Sequence, residues 1–460
     1  MFSKLKYSHS DTKLLSCDPV KLFAACLFIF VFAAFLAPKA YADKLVDSNL
    51  RAYIDGAGPV DIDAYDGDYE NNTFVSLRSM AGLLKDTSKA YTCTYGFDEA
   101  SQLGCMYIQT GQSSNADAGA ASSPSFVRSS LNLNYLVVDG AERRYWTYRA
   151  NDDLYMSLTD FAMLFDVSIT YFGPNTIAIR TDKPYSTSLR QLNAIGYFDL
   201  LSGIVVGDIT SGEIIFAENE DHPEAIASTT KLMTCLLLLD AVDEGRISFD
   251  DTVTISNKAE QISQSDDGQI PLYAGQGVSL YDLLAAMMLP SSNESCIAIA
   301  EYLEGGEANF VNRMNDKAKE LGLTTARFYN ATGLPYFRET AALSKSHNKM
   351  SAMDLYRLAQ ALVDKHPEIT DITSQKSIYL ESMGCAAINS NPLLYNLPNV
   401  WGLKTGTTNR AGCCLVSLMK VDADDGPHLI LCVLLDAETS GERCTKSEML
   451  LRCVQSMYNN

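Results

Sequence analysis

Histidine is scarce in this 460-residue chain, with five residues (His9, His222, His347, His366 and His428), and none forms an H-E-x-x-H pattern. There is also no G-x-S-x-G elbow and no G-x-x-x-x-G-K-[ST] loop. Histidine-driven serine hydrolysis, helix-borne zinc hydrolysis and P-loop chemistry therefore lack their local signatures. The twelve cysteines include no C-x-x-C and no Cys/His cluster at zinc spacing. A dense disulfide scaffold and a zinc site are disfavoured, and no cofactor or metal is expected. Basic residues are the minority, 36 Lys and Arg against 56 Asp and Glu, for a net charge of -20. Such a chain repels phosphate backbones, so nucleic acid is a poor partner. With 47% hydrophobic and 20% charged residues, the composition is that of folded domains, and the length suggests more than one.

Long apolar runs are also short. Leu22 to Ala37 is uncharged for 16 residues, follows Lys4, Lys6, Lys13 and Lys21, and precedes Ala40-Tyr41-Ala42, a small-x-small cleavage pattern. Residues 1–42 read as a signal peptide cleaved after Ala42, with a retained anchor as the alternative. Cleavage would leave 31 basic and 54 acidic residues, a net of -23, in an exported protein of the cell envelope or medium. Ten cysteines would remain. Cys93 and Cys105 lie in two β-rich strings around a turn, so they are read either as a cross-hairpin disulfide or as buried thiols.

Residues 43–185 are read as a β-rich domain built from two repeats. Ile54-Asp55-Gly56 leads to Phe74-Val75-Ser76-Leu77 and Met80-Ala81-Gly82-Leu83; Val138-Asp139-Gly140 leads to Tyr155-Met156-Ser157-Leu158 and Phe161-Ala162-Met163-Leu164. Each copy predicts strand, D-G turn, strand, short amphipathic helix and further β structure. Between the copies, Gly111 to Ser125 is small and polar and reads as a surface loop. The pattern weakly resembles the stalk-like domain of copper amine oxidases, and it carries no catalytic constellation.

Residues 186–460 form the second expected domain. A hairpin at Ile204–Phe216, helical stretches at 232–242, 280–289 and 310–321, and late strands at 414–419 and 429–435 predict an α/β (α+β) core. Three motifs in this region carry chemistry. Ser228-Thr229-Thr230-Lys231 opens the first apolar helix, where positions i and i+3 share a face. A serine hydroxyl is a weak nucleophile until a base takes its proton, and a lysine is such a base only if burial or a second cation lowers its pKa. The helix N-terminus would add a backbone N–H for an oxyanion. Ser291-Ser292-Asn293 supplies a second serine to relay a proton and an amide to hold Lys231 and substrate. Lys404-Thr405-Gly406-Thr407 supplies a carboxylate-binding cation and hydroxyl, a glycine permitting close approach, and another oxyanion N–H.

Each motif alone is weak; together, at 63 and 113 residues apart, they resemble the penicillin-interacting serine enzymes. From about Ile204 to Leu451 the text is similar to the D-alanyl-D-alanine carboxypeptidases, the low-molecular-mass penicillin-binding proteins. The resemblance includes Ala227 to Thr234, Asn293-Glu294-Ser295-Cys296, Met314-Asn315, Leu321-Gly322-Leu323, Phe328-Tyr329-Asn330, Gly333-Leu334 and Gly402 to Gly406. Ser292 and Glu294 depart from the family's usual Gly and Asp, and Thr407 stands where many members have His. The resemblance implies a penicillin-binding transpeptidase/β-lactamase-like fold, a central antiparallel sheet flanked by helices. It further implies removal of the terminal D-Ala from peptidoglycan stem pentapeptides through an acyl-serine, and acylation by β-lactams. Catalytic Ser228, Lys231, Ser291 and Asn293, and substrate-binding Lys404, Thr405, Gly406 and Thr407, follow from it, as does association with the wall or membrane surface. A serine β-lactamase is the rival enzyme, but no E-x-x-L-N occurs between Asn293 and Lys404. An inactive wall-binding scaffold is the rival of another kind.

Overall fold

The computed structural model describes residues 43–67, 73–98, 103–114, 126–150, 153–173, 175–335 and 346–458. The N-terminal leader and most of the Gly111–Ser125 segment lie outside these residues. Two compact units meet in sequence between Ile195 and Gly196.

In the first unit each D-G pair closes a hairpin: Asp55 and Asp139 both have φ of 49°, followed by Gly56 and Gly140 at 89° and 81°. Two consecutive left-handed residues match the twist of a two-residue hairpin loop. The copies do not stand as separate modules. The closing hairpin of copy one (Tyr91–Asp98, Leu103–Thr110) pairs in parallel with the opening hairpin of copy two, Cys105 opposite Tyr135 through Ile108 opposite Val138. The closing hairpin of copy two returns the arrangement, Thr176 opposite Arg51 through Ile179 opposite Ile54. At the centre Phe74-Val75-Ser76 runs antiparallel to Tyr155-Met156-Ser157, so equivalent strands meet about a local two-fold axis. The turn aspartates fasten the exchange. Asp139 accepts from Thr110 N–H (2.9 Å) and Oγ1 (2.6 Å), and Asp55 accepts from Thr181 N–H (2.8 Å) and Oγ1 (2.6 Å).

The register also settles the cysteine question. Cys93 faces Ile108 and Cys105 faces Gly96, an offset of three residues that puts the two side chains on opposite faces of the sheet. The disulfide reading is therefore corrected, and neither carries a disulfide.

The second unit is built on a five-stranded antiparallel sheet. Its strands are β1 (Gly203–Asp208), β2 (Glu213–Glu218), β3 (Val400–Thr408), β4 (Gly412–Ala423) and β5 (Gly426–Ala437), in the order β2-β1-β5-β4-β3. The middle strands are apolar on both faces because both are covered. Cys414, Val416, Leu418, Leu431, Val433 and Leu435 join the main helical core. Alternating residues such as Leu415, Cys432 and Leu434 are equally buried, and the C-terminal helix packs on β4 and β5. Adjacent Cys413 and Cys414 follow this alternation.

The helices that matter to the site are α1 (Lys231–Asp243), α2 (Leu280–Met288), α3 (Asn293–Glu304), α4 (Glu307–Glu320), α5 (Ala352–Lys365), α6 (Ile369–Thr373) and α7 (Ser440–Tyr458). Helix α1 is buried along nearly its whole length. It runs through the middle of the core, which is why its sequence is apolar all round instead of striped. Among the described residues no helix is long and apolar enough to cross a membrane.

Candidate active site

Chain geometry concentrates on the turn before α1. Residues Ala227–Thr230 form a 3-10 turn, and Lys231 begins the α-helix. The sequence places Ser228 and Lys231 on one helical face; the tighter turn brings positions i and i+3 still closer to eclipsed. Lys231 Nζ donates to Ser228 Oγ at 2.9 Å, to Asn293 Oδ1 at 2.8 Å and to the Thr332 carbonyl at 2.8 Å. Lys231 is fully buried, while Ser228 is half-buried and thus open to a ligand. Burial pulls the Lys231 amine below its ordinary value, and the nearby Cys296 and Glu294 push back.

Asn293 is the first residue of α3, capped by Ser292, whose Oγ accepts from Ser295 N–H at 3.0 Å and donates to Ser295 Oγ at 2.6 Å. This accounts for a serine where the family usually has glycine: the hydroxyl serves the helix end. The Asn293 amide donates to the Asp267 carbonyl at 2.8 Å, so its oxygen is left facing Lys231. Glu294, also unusual for the family, is fully buried and accepts from Gln269 N–H (3.1 Å) and Ile270 N–H (2.5 Å), pinning the loop that contains Asp267. Burial raises its carboxyl pKa against the lowering effect of those N–H groups.

Ser291 adopts φ of 73°, unusual for a side-chain-bearing residue, and its buried Oγ has no hydrogen-bond partner. Strain and an unpaired hydroxyl at one position mark a residue held for something other than stability.

Strand β3 supplies the third wall. Lys404 is buried and donates to the Thr405 carbonyl at 3.1 Å; burial, then the charges of Lys231 and Arg443, holds its amine well below the usual lysine value. Desolvation dominates for both lysines, so the expectation that a second cation depresses Lys231 holds only as a lesser effect. Thr405 Oγ1 lies 2.6 Å from Ser390 Oγ. Gly406 runs against the nucleophile turn: a Cβ there would sit 2.9 Å from Ser228 N and 3.0 Å from Thr229 N. Thr407 is exposed, and its Oγ1 accepts from Arg443 Nη1 at 3.1 Å. Gly406→Ala is expected to push β3 off the Ser228 turn and slow serine acylation by about 10²-fold, the usual cost of a misplacement near 1 Å. Stopped-flow acylation by a chromogenic β-lactam would measure it.

Several contributors escaped the motif reading. Thr332 holds Lys231 through its backbone carbonyl, which no sequence pattern reports. Its loop is tied by Asn330 Oδ1, which accepts from Thr332 N–H and Gly333 N–H, and by Asn348, whose amide donates to Asn330 O and Thr230 Oγ1. Gly333, at φ of +89°, passes so close to the turn that a Cβ would lie 1.9 Å from Ala227 O. Arg443 behind β3 and Ser390 beside Thr405 are the others. Cys296 donates to the Ser292 carbonyl at 3.3 Å with burial pushing its thiol up to about 12, and burial raises Cys235 as well; both are packing residues.

Comparison with known proteins follows this geometry. A family model described as D-alanyl-D-alanine carboxypeptidase matches residues 201–439. The chain is 30% identical over 299 residues to D-alanyl-D-alanine carboxypeptidase DacF of Bacillus subtilis, covering 64% of this chain and 70% of that one. It is 33% identical over 258 residues to DacD of Escherichia coli, covering 55% of this chain and 63% of that one. Among solved structures it is similar to a peptidoglycan synthesis regulatory factor from Streptococcus pneumoniae (TM-score 0.52, 27% identity, 56% of this chain, 72% of that one). It is also similar to the D-alanyl-D-alanine carboxypeptidase DacD from Francisella tularensis (TM-score 0.50, 25% identity, 56% and 70%). The five-stranded sheet, the helical core and the Ser228–Lys231–Asn293 cluster all lie within the matched span, and the chain belongs to the D-alanyl-D-alanine carboxypeptidase family of serine peptidases.

Proposed function

We propose that the protein is an exported serine carboxypeptidase that removes the terminal D-Ala from peptidoglycan stem peptides through an acyl-enzyme on Ser228. The observation that carries this reading is the Lys231 amine, buried and held by Asn293 and Thr332 within 2.9 Å of the Ser228 hydroxyl. A buried amine gives up its proton more readily, and the neutral form accepts the Ser228 proton as Oγ attacks the carbonyl of the penultimate D-Ala. The tetrahedral oxygen takes hydrogen bonds from the N–H groups of Ser228 and Thr407. Lys231 returns the proton by way of Ser291 to the departing amine, which leaves as D-Ala. Water, deprotonated by the same lysine, then releases the shortened peptide.

Lys404 and Thr405 bind the substrate carboxylate, and Gly406 lets the peptide lie along β3. Neutralisation of that carboxylate also lowers the cost of charging Lys404 in a buried position. β-Lactams acylate Ser228 because their ring amide and carboxylate occupy the same places. Fluorescent-penicillin labelling followed by peptide mapping tests the proposal: the adduct is expected on the tryptic peptide containing Ser228, and a stable adduct elsewhere would overturn it. Rapid turnover of penicillin instead of a lasting adduct would favour the β-lactamase reading.

A further inference from the structure

At the far end of α1 from Lys231, three side chains converge that the peptidase chemistry does not use. His366 follows the end of α5, Glu368 precedes α6, and Asp243 is the last residue of α1. His366 Nδ1 lies 3.5 Å from Asp243 Oδ2 and 3.7 Å from Glu368 Oε1, and the three donor atoms fall within 4.8 Å of one another. The histidine is fully buried, yet its Nδ1 has no hydrogen-bond partner. The carboxylates are too far to serve, although they face it.

The other ring nitrogen explains the orientation. His366 Nε2 sits 2.9 Å from Asp240 Oδ1. Asp240 also accepts from Lys365 Nζ at 2.5 Å and Lys317 Nζ at 2.6 Å, which keep it ionised. An ionised carboxylate only accepts, so Nε2 carries the proton and Nδ1 presents a lone pair toward Asp243 and Glu368. Metal-binding histidines are commonly fixed in this way, by a carboxylate on the remote nitrogen. The two lysines are spent on Asp240. Among the described residues, the ion-pair contacts of Asp243 and Glu368 are with His366 alone.

We propose that Asp243, His366 and Glu368 form a binding site for a zinc-like divalent transition cation. Ligands about 2.1 Å from a tetrahedral zinc stand about 3.4 Å apart, close to the two measured separations. An imidazole with two carboxylates suits zinc or its neighbours better than magnesium or calcium, which take oxygen alone. The C-terminal ends of α1 and α5 both point at the position, and helix C-termini favour positive charge. Asp243 is 45% exposed, so an ion can enter and water can complete its coordination. The ion would join the ends of α1, α5 and α6. Local spacing does not reveal such a site, because Asp243 is remote in sequence from the His366/Glu368 pair.

The test uses the full chain, freed of metal by a chelator and titrated with zinc chloride against a chromophoric competitor. One zinc per chain is expected, with an accompanying rise in Tm that magnesium chloride does not produce. The double variant Asp243→Asn, Glu368→Gln is expected to bind at least tenfold more weakly while keeping its penicillin label and its metal-free Tm. Equal binding by the variant, or none by the wild type, overturns the site. A cobalt-loaded wild-type protein supplies a second reading independent of folding in the variant. Four- or five-coordinate d–d bands without a thiolate charge-transfer band are expected, and a thiolate band would assign the ion to cysteine and overturn the proposal.

Discussion

Ser228→Ala is expected to eliminate covalent penicillin labelling and to lower D-Ala release from a stem pentapeptide by at least about 10³-fold. Removing a nucleophile that works with its base as a unit leaves only the contribution of binding and oxyanion contacts. The loss should be chemical, not structural. The Ser228 hydroxyl has one hydrogen bond, to Lys231, and that amine keeps Asn293 and Thr332 after the change. A single such bond contributes about 1 kcal/mol, so Tm should move by only a few degrees. Labelling that survived in the variant, or a collapse in Tm that explained the lost activity, would remove Ser228 from the proposed role.

Lys231→Arg is expected to slow acylation by about 10³-fold at neutral pH, within the range of general-base contributions. Arginine keeps the charge but cannot shed its proton at ordinary pH, and its planar head does not fit the three acceptors around Lys231 Nζ. In the wild type, acylation should rise with pH as Lys231 becomes neutral, along a limb whose midpoint lies below the ordinary lysine value of 10.5. In the variant that limb should disappear. A flat wild-type profile would remove lysine as the base.

The same shifts bear on stability. Lys231 and Lys404 are both depressed in the folded protein, so the unfolded chain binds more protons over the interval between the folded values and 10.5. Their contribution is full above 10.5 and is lost as pH falls through the folded values. Stability in urea should therefore climb with pH across that interval, and Lys404→Met should flatten the climb.

The motif reading succeeded where chemistry depends on neighbours in sequence. Ser228 and Lys231 are three residues apart, and any helical turn joins them; Lys404 to Thr407 lie on one strand. It was weaker where partners arrive from elsewhere. Thr332 contributes a backbone oxygen, which every residue possesses. Glu294 looked like a mild departure until its carboxylate was found holding the loop beneath Asn293. Cys93 and Cys105 looked like a pair because both sit in facing strands, but an offset of three residues reverses the face of one. The two repeats were legible from their D-G turns and helices. Their exchange of closing hairpins was not, because a parallel pairing between Ile108 and Val138 leaves the same apolar pattern as any half-buried strand.

The sequence by itself determined the reaction class: three motifs in a fixed order, the apolar helix behind the nucleophile, and the strands that form the antiparallel sheet. Only the tertiary structure decided how the Lys231 amine is held, why Gly333 and Gly406 must lack a side chain, and how Asp243 comes to face His366. Periodicity and short spacing are properties of one segment and can be read along the chain. Desolvation, close backbone approach and convergent ligands depend on distances between segments, and those are fixed only when the core packs.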